Sequence, residues 1–327
     1  MKAWLIESDP SGNRLLCQDV PDPVPGPDDL LIEVHAIGLN RADLSRRAGH
    51  FEQIPTRPSL PIAGLEAAGT VIAAGQSVRD FKVGDRVMGL PAGAYAEKTL
   101  LHARLAMRVP QSISWVQAAA TPVAMLTAHN ALLGAAAARS GERVLVQAAS
   151  SAVGIAAVQI ARAFGASMVI GTAGSAEKLS ALVPFGLTDG INYKTEAIAD
   201  RVLALTGGEG VDVIVDMVGA TAAGIHLRAA ALRARWVQVG RMSGKDAMVD
   251  LDLISKKRLK LLGVTFRTLD LNEFETVVRH AERDLALALL EGRFSMPVAR
   301  TFGFEQADRA QDFMREHDYF GKIVLQT

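Results

Sequence analysis

The chain has 327 residues, room for about two domains, and its 35 basic residues balance 35 acidic ones, so it lacks the basic surplus that nucleic-acid phosphates demand. Hydrophobic residues at 49% and charged residues at 21% exclude a disordered chain and allow a sizeable core. The single cysteine, Cys17, excludes an internal disulfide framework and any zinc site built from several thiolates, so a reducing compartment, by default the cytoplasm, is expected.

Residues 1–20 carry Glu7, Asp9, Arg14 and Asp19 with no unbroken apolar stretch, which argues against a secretory signal. Pro21, Pro23, Pro25 and Pro27 punctuate an exposed connection. Residues 30–37, 67–73, 86–89 and 94–100 read as short strands of an antiparallel β domain. Residues 115–138 contain no Asp, Glu, Lys or Arg and are long enough to span a bilayer. However, Thr121, Pro122, Thr127, His129 and Asn130 lie near the middle, and polar groups are costly in lipid. The run therefore reads as a buried helix, and no membrane is expected.

From about Thr121 strands and helices alternate. Strands are expected at 144–146, 167–171, 190–193, 211–215, 236–239 and 259–264. Helices are expected at 155–164, 175–183 (with Ser175 as N-cap), 197–205 (closed by Gly207 and Gly208), 223–232 and 271–290. This βαβα rhythm predicts a doubly wound parallel sheet. The strand-like tail, 322–325, does not extend the rhythm and is expected to return to the first domain. The domains expected are 1–120, completed by 266–327, and 121–265.

The strand ending at Gln147 runs into Ala148-Ala149-Ser150-Ser151-Ala152-Val153-Gly154. A dinucleotide fold needs small residues here, so that backbone can approach the pyrophosphate at the positive end of the next helix. Two fingerprint glycines are replaced by Ala148 and Ser151, and the same residues would suit an ordinary packed turn. No Asp or Glu occurs between Glu142 and Glu177, where an NAD-preferring fold places a carboxylate on the ribose. The second strand instead ends in Gly171-Thr172-Ala173-Gly174-Ser175, followed by Lys178. A hydroxyl and a lysine suit a 2′-phosphate, which favours NADP over NAD, although Lys178 equally suits a solvated helix face.

These motifs, in order and spacing, resemble the zinc-independent quinone oxidoreductase branch of the medium-chain dehydrogenase/reductase superfamily. The markers are Gly38-Leu39-Asn40-Arg41-Ala42-Asp43, Gly64-Leu65-Glu66-Ala67-Ala68-Gly69, Gly84-Asp85-Arg86-Val87, Ala94-Tyr95-Ala96-Glu97, Thr127-Ala128, Val153-Gly154, Gly171-Thr172-Ala173-Gly174, Asn192-Tyr193, Val215-Asp216-Met217-Val218-Gly219 and Gly321-Lys322-Ile323-Val324-Leu325. The resemblance covers essentially the whole chain. It implies an α/β fold with a GroES-like antiparallel β domain plus a doubly wound Rossmann domain, NADPH as hydride donor, and a homodimer.

By the same resemblance Asn40, which would orient substrate or ribose, and Thr127 sit near the nicotinamide. Ser151, Ala152 and Val153 face the pyrophosphate. Thr172, Ser175, Lys178 and Tyr193 surround the 2′-phosphate. Gly240, Arg241 and Met242 line the strand end under the cofactor. Thr265, Phe266 and Arg267 offer backbone to the carboxamide, and Lys322 lies near the cofactor's edge.

Zinc alcohol dehydrogenases carry a catalytic cysteine where this chain has the Asn40 segment and a histidine where it has Leu65, so no metal is expected. His35 and His50 have no partners at ligand spacing and read as surface or packing residues. Related reductases often carry tyrosines in the loop after the Asn-x-x-Asp segment, where this chain has Ser45 and Phe51. Phe51 cannot donate a proton. The leading expectation is an NADPH:quinone oxidoreductase-like enzyme that reduces quinones or other conjugated carbonyls in a cleft between the domains, with the proton coming from solvent. The alternatives are an alkenal or enoyl reductase acting on an activated C=C, and an NADPH-binding protein without turnover.

Overall fold

The computed structural model describes residues 1–7, 12–49, 60–91, 93–315 and 319–327. His50 and Phe51 lie outside them. The chain divides into two compact units, residues 1–123 with 267–327 and residues 124–266.

The first unit begins with an antiparallel hairpin, β1 (Lys2–Glu7) and β2 (Arg14–Asp19). Next come β3 (Asp29–Gly38), α1 (Arg41–Arg47), β4 (Glu66–Ala74), β5 (Arg86–Gly89), β6 (Lys98–His102), β7 (Met107–Arg108) and α2 (Trp115–Ala120). β3 is the hub: it pairs antiparallel with β4 and β6, and β4 continues through β5 to β7. Alternate β3 residues Leu30, Ile32, Val34 and Ala36 are almost fully buried, as a half-buried strand's two-residue period requires.

The uncharged run does not form one helix. α2 ends at Thr121, whose hydroxyl bonds back to Gln117 O at 2.7 Å, and Pro122, without an N–H, starts α3 (Pro122–His129). A π-helical turn, Asn130–Ala135, follows.

The second unit alternates β8 (Arg143–Val146), α4 (Ala152–Ala163), β9 (Met168–Ala173), α5 (Ala176–Leu182), β10 (Asp189–Asn192), α6 (Ile198–Leu205), β11 (Val211–Asp216), α7 (Ala223–Ala229), β12 (Ala230–Gln238), α8 (Leu251–Lys257) and β13 (Lys260–Gly263). All strands run parallel in the order β10-β9-β8-β11-β12-β13. This is the doubly wound order, and its direction reverses between β8 and β11, the place where such sheets bind ligands outside their carboxyl ends. Leu145, Ile170, Ile191, Val211 and Ile214 are fully buried in its core, each contributing about 1.5–3 kcal/mol. α4 is buried continuously from Gly154 to Ala161, so it is apolar all round rather than striped.

Two expectations need correction here. The helix expected over 223–232 stops at Ala229, and residues 230–232 begin β12. The strand expected over 94–100 starts only at Lys98, with Ala96 making an isolated bridge to Ala3.

The chain then returns to the first unit through α9 (Leu271–Leu290), β14 (Val298–Gly303), α10 (Ala307–Arg315) and β15 (Lys322–Gln326). α9 starts at a capping box: the Asp270 carboxylate accepts from the Asn272 and Glu273 amides, and Glu273 accepts from the Asp270 amide. β15 adds antiparallel to β3, as the tail predicts, but β14 lies parallel to β15, so the first sheet is mixed.

Candidate functional site

In the first unit, the pairing of β3 with both β4 and β15 brings Asn40, Glu66 and Lys322 together from distant parts of the sequence. Asn40 caps α1, and its own amide donates to Asp43 Oδ2 at 2.8 Å. Its side chain is held at both ends. Nδ2 donates to Glu66 Oε1 at 2.9 Å, and Oδ1 accepts from Lys322 Nζ at 2.9 Å. Lys322 also pairs directly with Glu66 Oε1. Glu66 Oε2 accepts from the Val123 amide at 2.7 Å, placing a carboxylate on the positive end of α3. Glu66 is fully buried and Lys322 is 2% exposed, so removing either charge would leave the other stranded at high cost.

Asp43 lies beside this cluster, almost fully buried. Desolvation pushes its carboxyl up to about 7, against the opposing pull of the Asn40 amide and Lys322, while Glu66 pushes the same way as burial. The Tyr95 hydroxyl donates to Asp43 Oδ2 at 3.3 Å, and Asp43 Oδ1 has no partner. Burial, with the nearby Asp43 charge, holds the Tyr95 hydroxyl well above its ordinary range. Glu66, Asp43 and Tyr95 were not among the candidate site residues. The legible signal for Glu66 was a lone charge inside an apolar strand run, a position that requires a partner.

The second unit places most of the remaining candidates after the carboxyl ends of its strands. Ser151 caps α4, its hydroxyl accepting from Gly154 N at 3.1 Å. Ala152 and Val153 supply first-turn amides that have no partner within the helix. Gly154 packs so tightly that a Cβ there would lie 2.5 Å from Ala148 O. The turn is therefore small, tight and amide-lined, and its residues fit a pyrophosphate. Ala148 takes a left-handed φ of 48° in place of a glycine.

Past β9, Ser175 caps α5 by accepting from Lys178 N at 3.3 Å. Exposed Tyr193 carries its hydroxyl over Gly174, where a Cβ would lie 2.7 Å from it. Tyr193, which follows β10, thus reaches the end of β9 beside Ser175, and Lys178 stands in the first turn of α5. Glu177 stands in the same turn, its carboxyl lowered by its own amide and by the Ser175 hydroxyl. Thr172 differs from the other three, because it is 1% exposed and its hydroxyl turns inward, bonded to Gln147 and to the Ala148 amide.

Gly240 follows β12 and donates to Asp216 O at 3.0 Å, while Met242 N reaches Met217 O at 3.4 Å. Thr127 lies half-buried on α3. Thr265 and Phe266 follow β13 in the second unit, whereas Arg267 belongs to the first. Cys17 is exposed on β2. Among the described residues no group of three or more His, Cys, Asp or Glu is placed to hold a metal ion. None of the described helices is long and apolar enough to cross a membrane.

Residues 26–111 match the model of the alcohol dehydrogenase GroES-like domain, and residues 152–283 match that of the zinc-binding dehydrogenase family. Quinone oxidoreductase-like protein 2 of Bos taurus is 32% identical over 300 residues, covering 91% of this chain and 85% of that protein. The Escherichia coli quinone oxidoreductase, solved in complex with NADPH, superposes with a TM-score of 0.86 at 28% identity, covering 100% of this chain and 99% of that one. The CurK enoyl reductase superposes with a TM-score of 0.85 at 26% identity, covering 99% of this chain and 98% of that one. The chain belongs to the medium-chain dehydrogenase/reductase superfamily, in its quinone oxidoreductase-like branch.

Proposed function

We propose that this protein is an NADPH-dependent reductase of quinones or similar conjugated carbonyls and that it works without a catalytic zinc. The observation that carries the reading is the β9 end, where Tyr193 lies over Gly174 beside Ser175, Lys178 follows in the first turn of α5 and the strand itself offers no carboxylate to a ribose. The likeness to an NADPH-bound quinone oxidoreductase supports it. In this reading the first-turn amides of α4 hold the pyrophosphate and Lys178 meets the 2′-phosphate.

When bound, the reduced nicotinamide supplies a hydride. The Asn40 amide has its oxygen and one N–H committed to Lys322 and Glu66, so its orientation is fixed in advance. Its second N–H makes only a marginal 3.5 Å contact with Gly38 O and remains available to a ribose or substrate oxygen. In this reading the substrate is itself electron-poor and takes the hydride without a Lewis acid, Asn40 orients it, and solvent provides the proton.

The test is cofactor consumption with a simple quinone and with an α,β-unsaturated ketone at matched concentrations, using NADPH and NADH in turn. Faster turnover of the quinone with NADPH is expected, and a strong preference for NADH would overturn the reading. Preference for the unsaturated ketone would favour the second reading, an alkenal or enoyl reductase, which the likeness to CurK supports.

A further inference from the structure

The second unit contains a buried polar chain that the proposed chemistry does not itself use. It starts at Ala148, whose left-handed backbone is unfavourable for any residue with a Cβ and persists only where its surroundings enforce it. The Ala148 amide donates to Thr172 Oγ1 at 3.0 Å, and that hydroxyl donates to Gln147 Oε1 at 2.8 Å. The Gln147 amide is thereby oriented, with Nε2 facing His226 Nε2 at 3.1 Å. An amide nitrogen can only donate, so His226 Nε2 accepts and its proton resides on Nδ1.

His226 Nδ1 faces Asp216 Oδ2 at 3.6 Å, beyond hydrogen-bond length, so that contact is electrostatic. That oxygen accepts from Trp236 Nε1 at 3.1 Å, and the Trp236 ring packs edge-on against His226. The other carboxylate oxygen accepts from the Val218 and Gly219 amides at 2.7 and 3.1 Å, shaping the loop after β11. Asp216 O takes the Val239 and Gly240 amides at 2.8 and 3.0 Å, fixing the end of β12. Burial pushes the His226 imidazole down to about 3, so it is neutral and its approach to Asp216 is not an ion pair.

Gln147, Thr172, His226 and Asp216 are each at most 2% exposed. Buried polar groups cost free energy unless matched to one another, and the neighbouring strand positions are filled by Val, Leu and Ile. Sheet stability therefore does not call for four polar side chains at the carboxyl ends of β8, β9 and β11 and on α7. Their location does have a common feature, since they link the α4 turn to the loops after β11 and β12.

We propose that Gln147, Thr172, His226 and Asp216 form a positioning relay that locks these turns into one arrangement and so presets them for a dinucleotide. The relay takes over the task of the missing fingerprint glycine by holding Ala148 in the conformation that glycine adopts freely. This inference rests on the proposed binding of a nicotinamide dinucleotide by this chain.

The experiment measures NADPH affinity by calorimetry, steady-state kinetics and thermal melting for the wild type and six variants. Thr172→Val keeps the shape but removes the hydroxyl. It is expected to weaken NADPH binding and raise its KM about tenfold, with kcat at saturating cofactor within about twofold. Thr172→Ser restores the hydroxyl and should recover most of the affinity. His226→Leu should reproduce the loss, and His226→Gln, which can still accept from Gln147 and donate towards Asp216, should reverse it.

Ala148→Gly relaxes the turn, so adding Thr172→Val in that background should cost less than half as much on a logarithmic scale. This pair also covers the case in which Thr172→Val alone folds poorly. Unchanged NADPH affinity in both Thr172→Val and His226→Leu would overturn the relay while leaving the cofactor reading intact. An equal loss in both Ala148 backgrounds would likewise overturn it. A wild-type protein that binds neither NADPH nor NADH would overturn the cofactor reading and the relay with it.

Discussion

At the scale of single residues, two side chains carry opposite kinds of information. Lys178 is half-buried in the first turn of α5. If it holds the phosphate, Lys178→Ala raises the KM for NADPH about tenfold and leaves that for NADH unchanged, because a charge-assisted contact is lost only with the phosphorylated cofactor. Asp43 is internal, with its carboxyl raised to about 7 against an ordinary value of 3.8. Between these values the folded state keeps a proton that the unfolded chain releases. Its stabilising contribution is therefore complete below about pH 4 and is lost as pH rises to about 7. Asp43→Asn mimics the protonated form, since one oxygen can still accept from Asn40 and Tyr95. Denaturant titrations should show the variant gaining on wild type by roughly 1.4 kcal/mol per pH unit through this window. A difference independent of pH would refute the assignment.

At the scale of elements, breaks without glycine or proline were the hardest to read. The helix expected over 223–232 ends early because Ala230 turns to extended backbone and pairs with Val211, and Arg233, at a left-handed φ of 66°, then bends β12 where the β11–β12 register shifts between Val211 and Val213. No residue type flags that bend, because arginine is not a turn former. Arg233→Gly should therefore stabilise the protein by about 1 kcal/mol, read from the urea midpoint. The run over 115–138 shows the converse. Thr121 and Pro122 are local signals, and they divide it where the Glu66 carboxylate meets the start of α3. α9 was legible in full because its apolar period and its Asp270–Glu273 capping box lie within contiguous sequence.

At the scale of the whole molecule, the proposed chemistry predicts indifference to chelators. Leu65 and Asn40 stand where zinc-dependent relatives are expected to place ligands, and Asn40 is already engaged by the Lys322–Glu66 pair. Exhaustive treatment with a metal chelator should leave quinone turnover within about twofold of untreated protein, whereas removing a true catalytic zinc would abolish it.

Sequence alone determined the alternation of strands and helices, the parallel sheet, the return of the tail to the first domain and the poverty in thiols. These properties are written in local periodicity and composition, which each segment carries wherever it lies. Tertiary structure decided which polar groups meet. Asn40, Glu66 and Lys322 are neighbours because β3 takes β4 on one side and β15 on the other, and Thr172 turns inward because Gln147 and a strained Ala148 wait beneath it. Such meetings depend on strand order and register across hundreds of residues, and no segment encodes them on its own.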